Sequence, residues 1–232
     1  METTTYQTFR QGVAACLPTV LGYVGIGIAC GVVGKSVGLA VWQIAMMSIL
    51  IYAGSAQFII CGMIALQAPV SAIIFTTFLV NLRHFLMSMS VAPYFRSLPL
   101  KEGIAIGTLL TDESYGVLVL PLAAREKIAF PWVQGLNFTA YLTWICATVL
   151  GGLLGNWLPD PHLLGLDFAL TGMFIGLLVL QATPALKQQP KVMWVMASVA
   201  LSLYGFMYWF SPEMSVILAT LIGCGVGVVM EK

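Results

Sequence analysis

Charge is what this sequence has least of. Of its 232 residues only 8% are Asp, Glu, Lys or Arg, against about one quarter in an ordinary soluble domain. The net charge of +1 leaves no basic surface for nucleic acid and no basis for strong electrostatic recruitment. Histidine is scarce, with two residues, His84 and His162, far apart in the chain. Cys16, Cys30, Cys61, Cys146 and Cys224 form no CxxC pair and have no histidine at ligand spacing, which argues against a disulfide framework, a zinc site or a haem. No cofactor is indicated. Long polar stretches are also missing. Apolar runs of the length a bilayer-crossing helix needs, about 20 residues, recur from Gly12 to the C-terminus and leave no room for a soluble domain. With 59% hydrophobic residues and a mean hydropathy of +0.95, the chain reads as an all-α polytopic membrane protein. One transmembrane domain is expected over residues 1–232.

Eight apolar segments are expected, at 12–34, 40–66, 69–92, 103–122, 133–155, 166–184, 192–210 and 213–230. The first is long and Gly-rich and lacks the compact apolar core and cleavage site of a signal peptide, so it is expected to be retained. If all eight cross with the N-terminus inside, Arg10, Arg125, Lys127, Lys187, Lys191 and Lys232 lie inside, while Lys35, Arg96 and Lys101 lie outside. The pair Arg96 and Lys101 then breaks the positive-inside bias, because one segment separates it from Arg125 and Lys127. If 40–66 and 103–122 are instead broken or re-entrant, only Lys35 stays outside. Both segments contain reasons to break: YAGSAQF (52–58) has Gly54 and Ser55, and TDESYG (111–116) has adjacent carboxylates. Irregular backbone at membrane depth is tolerated only where protein or water satisfies it. GVVGKS (31–36) faintly echoes GGLLGN (151–156), either as a weak internal repeat or as glycines that pack helices closely.

The polar residues inside these segments cluster. Tyr52, Ser55, Gln57, Asn81, Arg83, His84, Asp112, Glu113, Ser114 and Tyr115 fall in three segments of the first half. An ionised side chain at the bilayer centre costs about 2.5–3.5 kcal/mol on insertion scales, so each needs a partner, water or a function. An Arg83–carboxylate ion pair, a snorkelling Arg83 and a hydrated site for a polar solute all satisfy that need. On a regular helix Asn81 and His84 share a face, while Arg83 points about 200° from Asn81. Asn81 and His84 are therefore expected to face the site, with Arg83 turned away to brace a carboxylate.

Several chemistries are set aside. GKS (34–36) lacks the glycine a Walker A needs five residues before its own, where Ala29 stands. Ser55 sits in AGSAQ rather than a nucleophile elbow, so an intramembrane hydrolase is disfavoured and no enzyme is expected. A small-solute channel remains the rival to a carrier. A channel needs a continuous lined pore, whereas broken helices around a confined polar cluster suit an occluding site.

Through YAGSAQF (52–58), NLRHFLMS (81–88) and TDESYG (111–116), in that order and spacing, the sequence resembles the AzlC-like family, the large subunits of branched-chain amino acid exporters. The resemblance implies secondary export of valine, leucine or isoleucine across the bacterial plasma membrane, drawing on the proton motive force. It also implies a small AzlD-like membrane subunit as partner. The substrate-binding residues expected are Tyr52, Gly54, Ser55, Gln57, Asn81, Asp112, Glu113 and Ser114. A half-helix near Gly54 to Gln57 would offer amide donors to the carboxylate, and Asp112 or Glu113 would take the ammonium. Arg83, His84, Asp112 and Glu113 are the candidates for proton coupling or an ion pair.

Overall fold

A computed structural model describes residues 6–157, 175, 178–179, 182–183, 186, 189–210 and 212–231. The chain divides into two compact units, Met1–Phe174 and Ile175–Lys232. The expected segment 166–184 falls mostly outside the described residues.

In the first unit α1 (Phe9–Ser36) begins with a capping box, in which the Thr8 hydroxyl accepts from the Gln11 N–H and the Gln11 side chain accepts from the Thr8 N–H. It runs parallel to α7 (Phe130–Leu154). The Cβ sites of Gly12, Gly27 and Gly31 face Trp132, Ala147 and Thr148 in that order. At Gly12, Gly31, Gly135 and Gly151 a Cβ would land on a backbone carbonyl of the other helix, so hydrogen alone permits this approach. The echoing Gly-rich motifs are the two C-terminal halves of this seam: Gly31 lies on Gly151 and Gly152, and Gly155 on Lys35. Close packing therefore accounts for them. At the other end, the Ala129 N–H donates to the Tyr6 carbonyl at 2.8 Å and pins the start of α7 to the start of α1.

The segment expected at 40–66 is broken into α2 (Val41–Leu50) and α3 (Gly54–Ala65). α2 leaves the C-terminal end of α1. Ile44 lies against Gly34 and Gly152, Ser48 shares a 2.7 Å hydrogen bond with Thr148, and the Tyr141 hydroxyl donates to the Ile49 carbonyl. The chain turns at residues 51–53 and comes back. Gln57 Nε2 donates to Ser48 Oγ at 3.3 Å, and Cys61 returns to Gly34, where Ile44 already sits. Thus α2 and α3 form a hairpin that begins and ends at one end of α1. The break lies just before Gly54 and Ser55 rather than at them, because those residues open α3.

From that end α4 (Val70–Val91) runs for 22 residues, about 33 Å, and continues into a 3₁₀ turn, Ala92–Phe95. The segment expected at 103–122 is again two helices, α5 (Leu100–Thr108) and α6 (Asp112–Ala123). Their legs lie at matching heights on α4: Gly107 faces Ser88, and Ser90 Oγ donates to the Tyr115 hydroxyl at 3.0 Å. α6 then leads directly into α7, whose start is pinned beside Tyr6. The second hairpin therefore enters and leaves at the opposite end from the first. The two hairpins also stop alike. α3 and α6 each have 12 residues and close on a left-handed residue, Gln67 (φ 53°) and Arg125 (φ 58°). In both, the next amide reaches back into the last turn, Ala68 to Met63 and Glu126 to Pro121.

Helices of 9–12 residues are about 14–18 Å long, half the roughly 30 Å hydrocarbon thickness. By length and composition α1, α4 with its 3₁₀ turn, and α7 are the three described helices able to cross a membrane. The path of the chain thus follows the re-entrant alternative. It gathers Arg10, Arg96, Lys101, Arg125 and Lys127 toward one end and leaves Lys35 at the other.

In the second unit α8 (Val192–Phe206) and α9 (Pro212–Glu231) are antiparallel. Lys191 Nζ donates to the Met230 carbonyl, and Gly223 fits under Val199.

Candidate functional site

The tips of the two hairpins meet. Between them lies a narrow chamber lined by Tyr23 of α1, residues 52–55, Arg83 and His84 of α4, residues 111–113, and Trp144 of α7. Its volume is about 10 Å³, enough for about one water. The chamber is narrow but not sealed, since the Arg83 and Asp112 side chains keep 27% and 16% of their exposure.

Each tip is built by local sequence. Tyr52 takes φ 39°, a left-handed conformation uncommon for an aromatic residue, and its ring packs edge-on against Tyr141 at 4.8 Å. Gly54 opens α3 because the Trp144 indole occupies the space a Cβ would need, 2.8 Å away. The N-cap position of α3 holds Ala53, which has no side chain to offer. Among the described residues, nothing accepts a hydrogen bond from the backbone N–H of Gly54, Ser55 or Ala56. The Tyr52 hydroxyl is likewise buried, near the Tyr23 and Thr111 hydroxyls but without a well-formed hydrogen bond to either. A helix start is thus left open inside protein, with a positive dipole end and unused donors.

The second tip is the reverse. Thr111 caps α6 reciprocally with Ser114, and Asp112 and Glu113 occupy the first turn, where the helix dipole favours carboxylates. Arg83 joins the two tips: Nη2 lies 2.9 Å from Asp112 Oδ2 and donates to Ser55 Oγ at 2.5 Å. The Tyr23 hydroxyl donates to Glu113 Oε2 at 2.7 Å and lies 2.7 Å from Thr111 Oγ1.

Seven of the residues expected from sequence therefore line one chamber: Tyr52, Gly54, Ser55, Arg83, His84, Asp112 and Glu113. Three stand outside it. Gln57 is fully buried behind the tip, where Oε1 accepts from Trp144 Nε1 at 3.0 Å and from Cys30 Sγ. Ser114 is buried in the α6 cap. Asn81 lies on α4 with its Oδ1 buried and unpartnered. The expected facing is reversed at α4: Arg83 enters the chamber with His84, and Asn81 does not. The helix stays regular, so the chamber lies between the directions of residues 83 and 84, and the guanidinium is long enough to bridge both tips. Bracing a carboxylate and lining the chamber are one and the same position. Tyr23, Thr111 and Trp144 were missed. Thr111 was legible as a cap before two acids, whereas nothing distinguishes Tyr23 or Trp144 from other aromatics in apolar helices.

A polar chamber held at the meeting point of two half-length helical hairpins defines a multi-pass membrane protein with a built internal site. Residues 18–158 match the AzlC protein family, and the chain belongs to that family. It is 28% identical over 221 residues to the branched-chain amino acid transport protein AzlC of Bacillus subtilis (strain 168), covering 93% of this chain and 85% of that protein. It is 25% identical over 222 residues to the inner membrane protein YgaZ of Escherichia coli (strain K12), covering 94% and 88%. An uncharacterized membrane protein of Archaeoglobus fulgidus is 31% identical over 174 residues, 74% of each chain. No solved structure matches.

Proposed function

We propose that this protein is a secondary carrier that exports branched-chain amino acids across the bacterial plasma membrane, using the proton motive force and a small AzlD-like membrane subunit. The observation that carries the proposal is the opposition of the two tips. An uncapped α3 start with the buried Tyr52 hydroxyl faces the acidic first turn of α6 across one narrow chamber. An amino acid is a zwitterion, and this arrangement offers donors at one side and carboxylates at the other. The carboxylate docks on the amides of Gly54 and Ser55 and the Tyr52 hydroxyl, while the ammonium approaches Asp112 or Glu113. His84 and Arg83 complete the charged lining.

A chamber of one-water size supports a carrier over a channel, since a solute passes only when a tip moves. A hydrolase finds no support in the geometry, because Ser55 Oγ is engaged by Arg83 rather than by a general base. The cluster of Arg and Lys at the end where α1 begins supports a cytoplasmic N-terminus. Valine, leucine and isoleucine share the site because apolar pockets separate methylene homologues by only about 1–3 kcal/mol.

The test is counterflow in proteoliposomes holding the purified chain, with and without the small subunit, under an imposed pH gradient. Preloaded unlabelled leucine is expected to drive accumulation of labelled valine, leucine and isoleucine, enhanced by the gradient. Flux that only dissipates gradients, or no response across an amino acid panel, overturns the proposal.

A further inference from the structure

Asp112 and Glu113 adjoin in sequence but keep different company. Asp112 is charge-balanced by Arg83, which also holds Ser55, so this pair fastens the two tips together. Glu113 receives a hydroxyl instead: Tyr23 donates to Oε2, and the same phenol oxygen meets Thr111 Oγ1 at the cap of α6. The charged and titratable groups that share the chamber with Glu113 are Tyr23 from α1, Tyr52 from the first tip, Arg83 and His84 from α4, and Asp112 on its own helix. α7 contributes only the indole of Trp144. His84 lies close enough to Arg83 and Asp112 to feel both charges, whereas the hydrogen-bonded chain to the tip of the second hairpin runs through Glu113.

We propose that Glu113 is the carboxylate that exchanges a proton, and that the chain Glu113–Tyr23–Thr111 carries its protonation state to the tip of the second hairpin. This rests on the carrier reading. With Glu113 ionised, the Thr111 hydroxyl donates to the Tyr23 oxygen and Tyr23 donates to Glu113 Oε2. When Glu113 takes a proton on Oε2 from hydronium on the acidic side, releasing water, the chain reverses. Glu113 then donates to Tyr23, and Tyr23 donates to Thr111 Oγ1, which also accepts the Ser114 N–H that shapes the first turn of α6. Each state satisfies all three groups, and one proton is the whole difference. A protonated Glu113 has no charge to offer an ammonium, so proton and amino acid occupy it in alternation, which is the stoichiometric basis of exchange.

The experiment is infrared difference spectroscopy of the purified full chain in lipid nanodiscs, between acidic and alkaline buffer. A protonated-carboxyl band that disappears on alkalisation is expected in the wild type and in Asp112→Asn, and not in Glu113→Gln. Tyr23→Phe is expected to keep the band and move its midpoint. The proposal is overturned by a wild type without the band, by a band that survives Glu113→Gln, by its loss in Asp112→Asn, or by an unmoved midpoint in Tyr23→Phe. The Tyr23→Phe result decides the matter even where Glu113→Gln does not accumulate. Counterflow on the same preparations separates the two claims. A titrating Glu113 without amino acid counterflow sinks only the carrier reading, and counterflow with a band indifferent to Glu113 sinks only this inference.

Discussion

Replacing Arg83 by leucine removes the cation opposite Asp112 and the donor that holds Ser55. Unit charges about 4 Å apart attract by about 4 kcal/mol at an effective dielectric near 20. Truncating one member of a buried pair costs about 3–5 kcal/mol, because the other charge is left alone. Here the two side chains are 27% and 16% exposed, so partial hydration favours the low end of that range. A loss of about 3 kcal/mol corresponds to a fall in melting temperature of about 6–12 °C for a chain of this size. Arg83→Leu combined with Asp112→Leu removes both members of the pair together and is expected to recover most of that loss. The assay is thermal unfolding of wild type, both single variants and the double variant in detergent, arranged as a double-mutant cycle with an expected coupling of about 2 kcal/mol or more. Single losses that simply add would show that the two groups do not hold each other, and the bridging of the tips would fall with them. The double variant carries a second reading. Folded protein that is silent in counterflow places these charges in transport as well as in stability.

Other outcomes follow from the same geometry. Gly31→Ala drives a methyl onto the Thr148 carbonyl and should cost about 1–3 kcal/mol, whereas Gly25→Ala, with open space around it, should leave the melting temperature unchanged. Equal effects would contradict the seam. Leu100→Cys and Glu126→Cys flank the second hairpin, so a membrane-impermeant maleimide should label both from the same side, and opposite accessibility would refute the re-entrant path. Tyr52→Phe removes a donor to a charged group, about 1.5–3 kcal/mol, so amino acid affinity should weaken by about 10- to 150-fold at unchanged abundance. Unaltered binding would remove Tyr52 from the carboxylate site.

The broken segments were legible because a polar residue in hydrocarbon and a misplaced cationic loop are both expensive, and each pointed to 40–66 and 103–122. The sequence could not say where the breaks fall. Gly54, Asp112 and Glu113 were taken as breakers, yet they begin helices, since an N-cap just ahead of them lets the chain restart. Seven of the residues that line the chamber were recoverable from chemistry alone. The error at α4 came from treating a helical residue as a direction rather than a reach: Arg83 spans to both tips, whereas Asn81 stops short of the chamber. Tyr23 and Trp144 left no trace in the sequence because an aromatic residue in an apolar helix has too many ordinary reasons to be there.

The acceptor half and the donor half of the site ride on different hairpins, while Tyr23 and Trp144 stand on two helices locked backbone to backbone. On the carrier reading proposed above, swinging either hairpin outward would carry off one half of a zwitterion's contacts and leave the other behind. A solute would then be held most firmly with both tips in place and loosened on whichever side opens, so that opening itself weakens its hold.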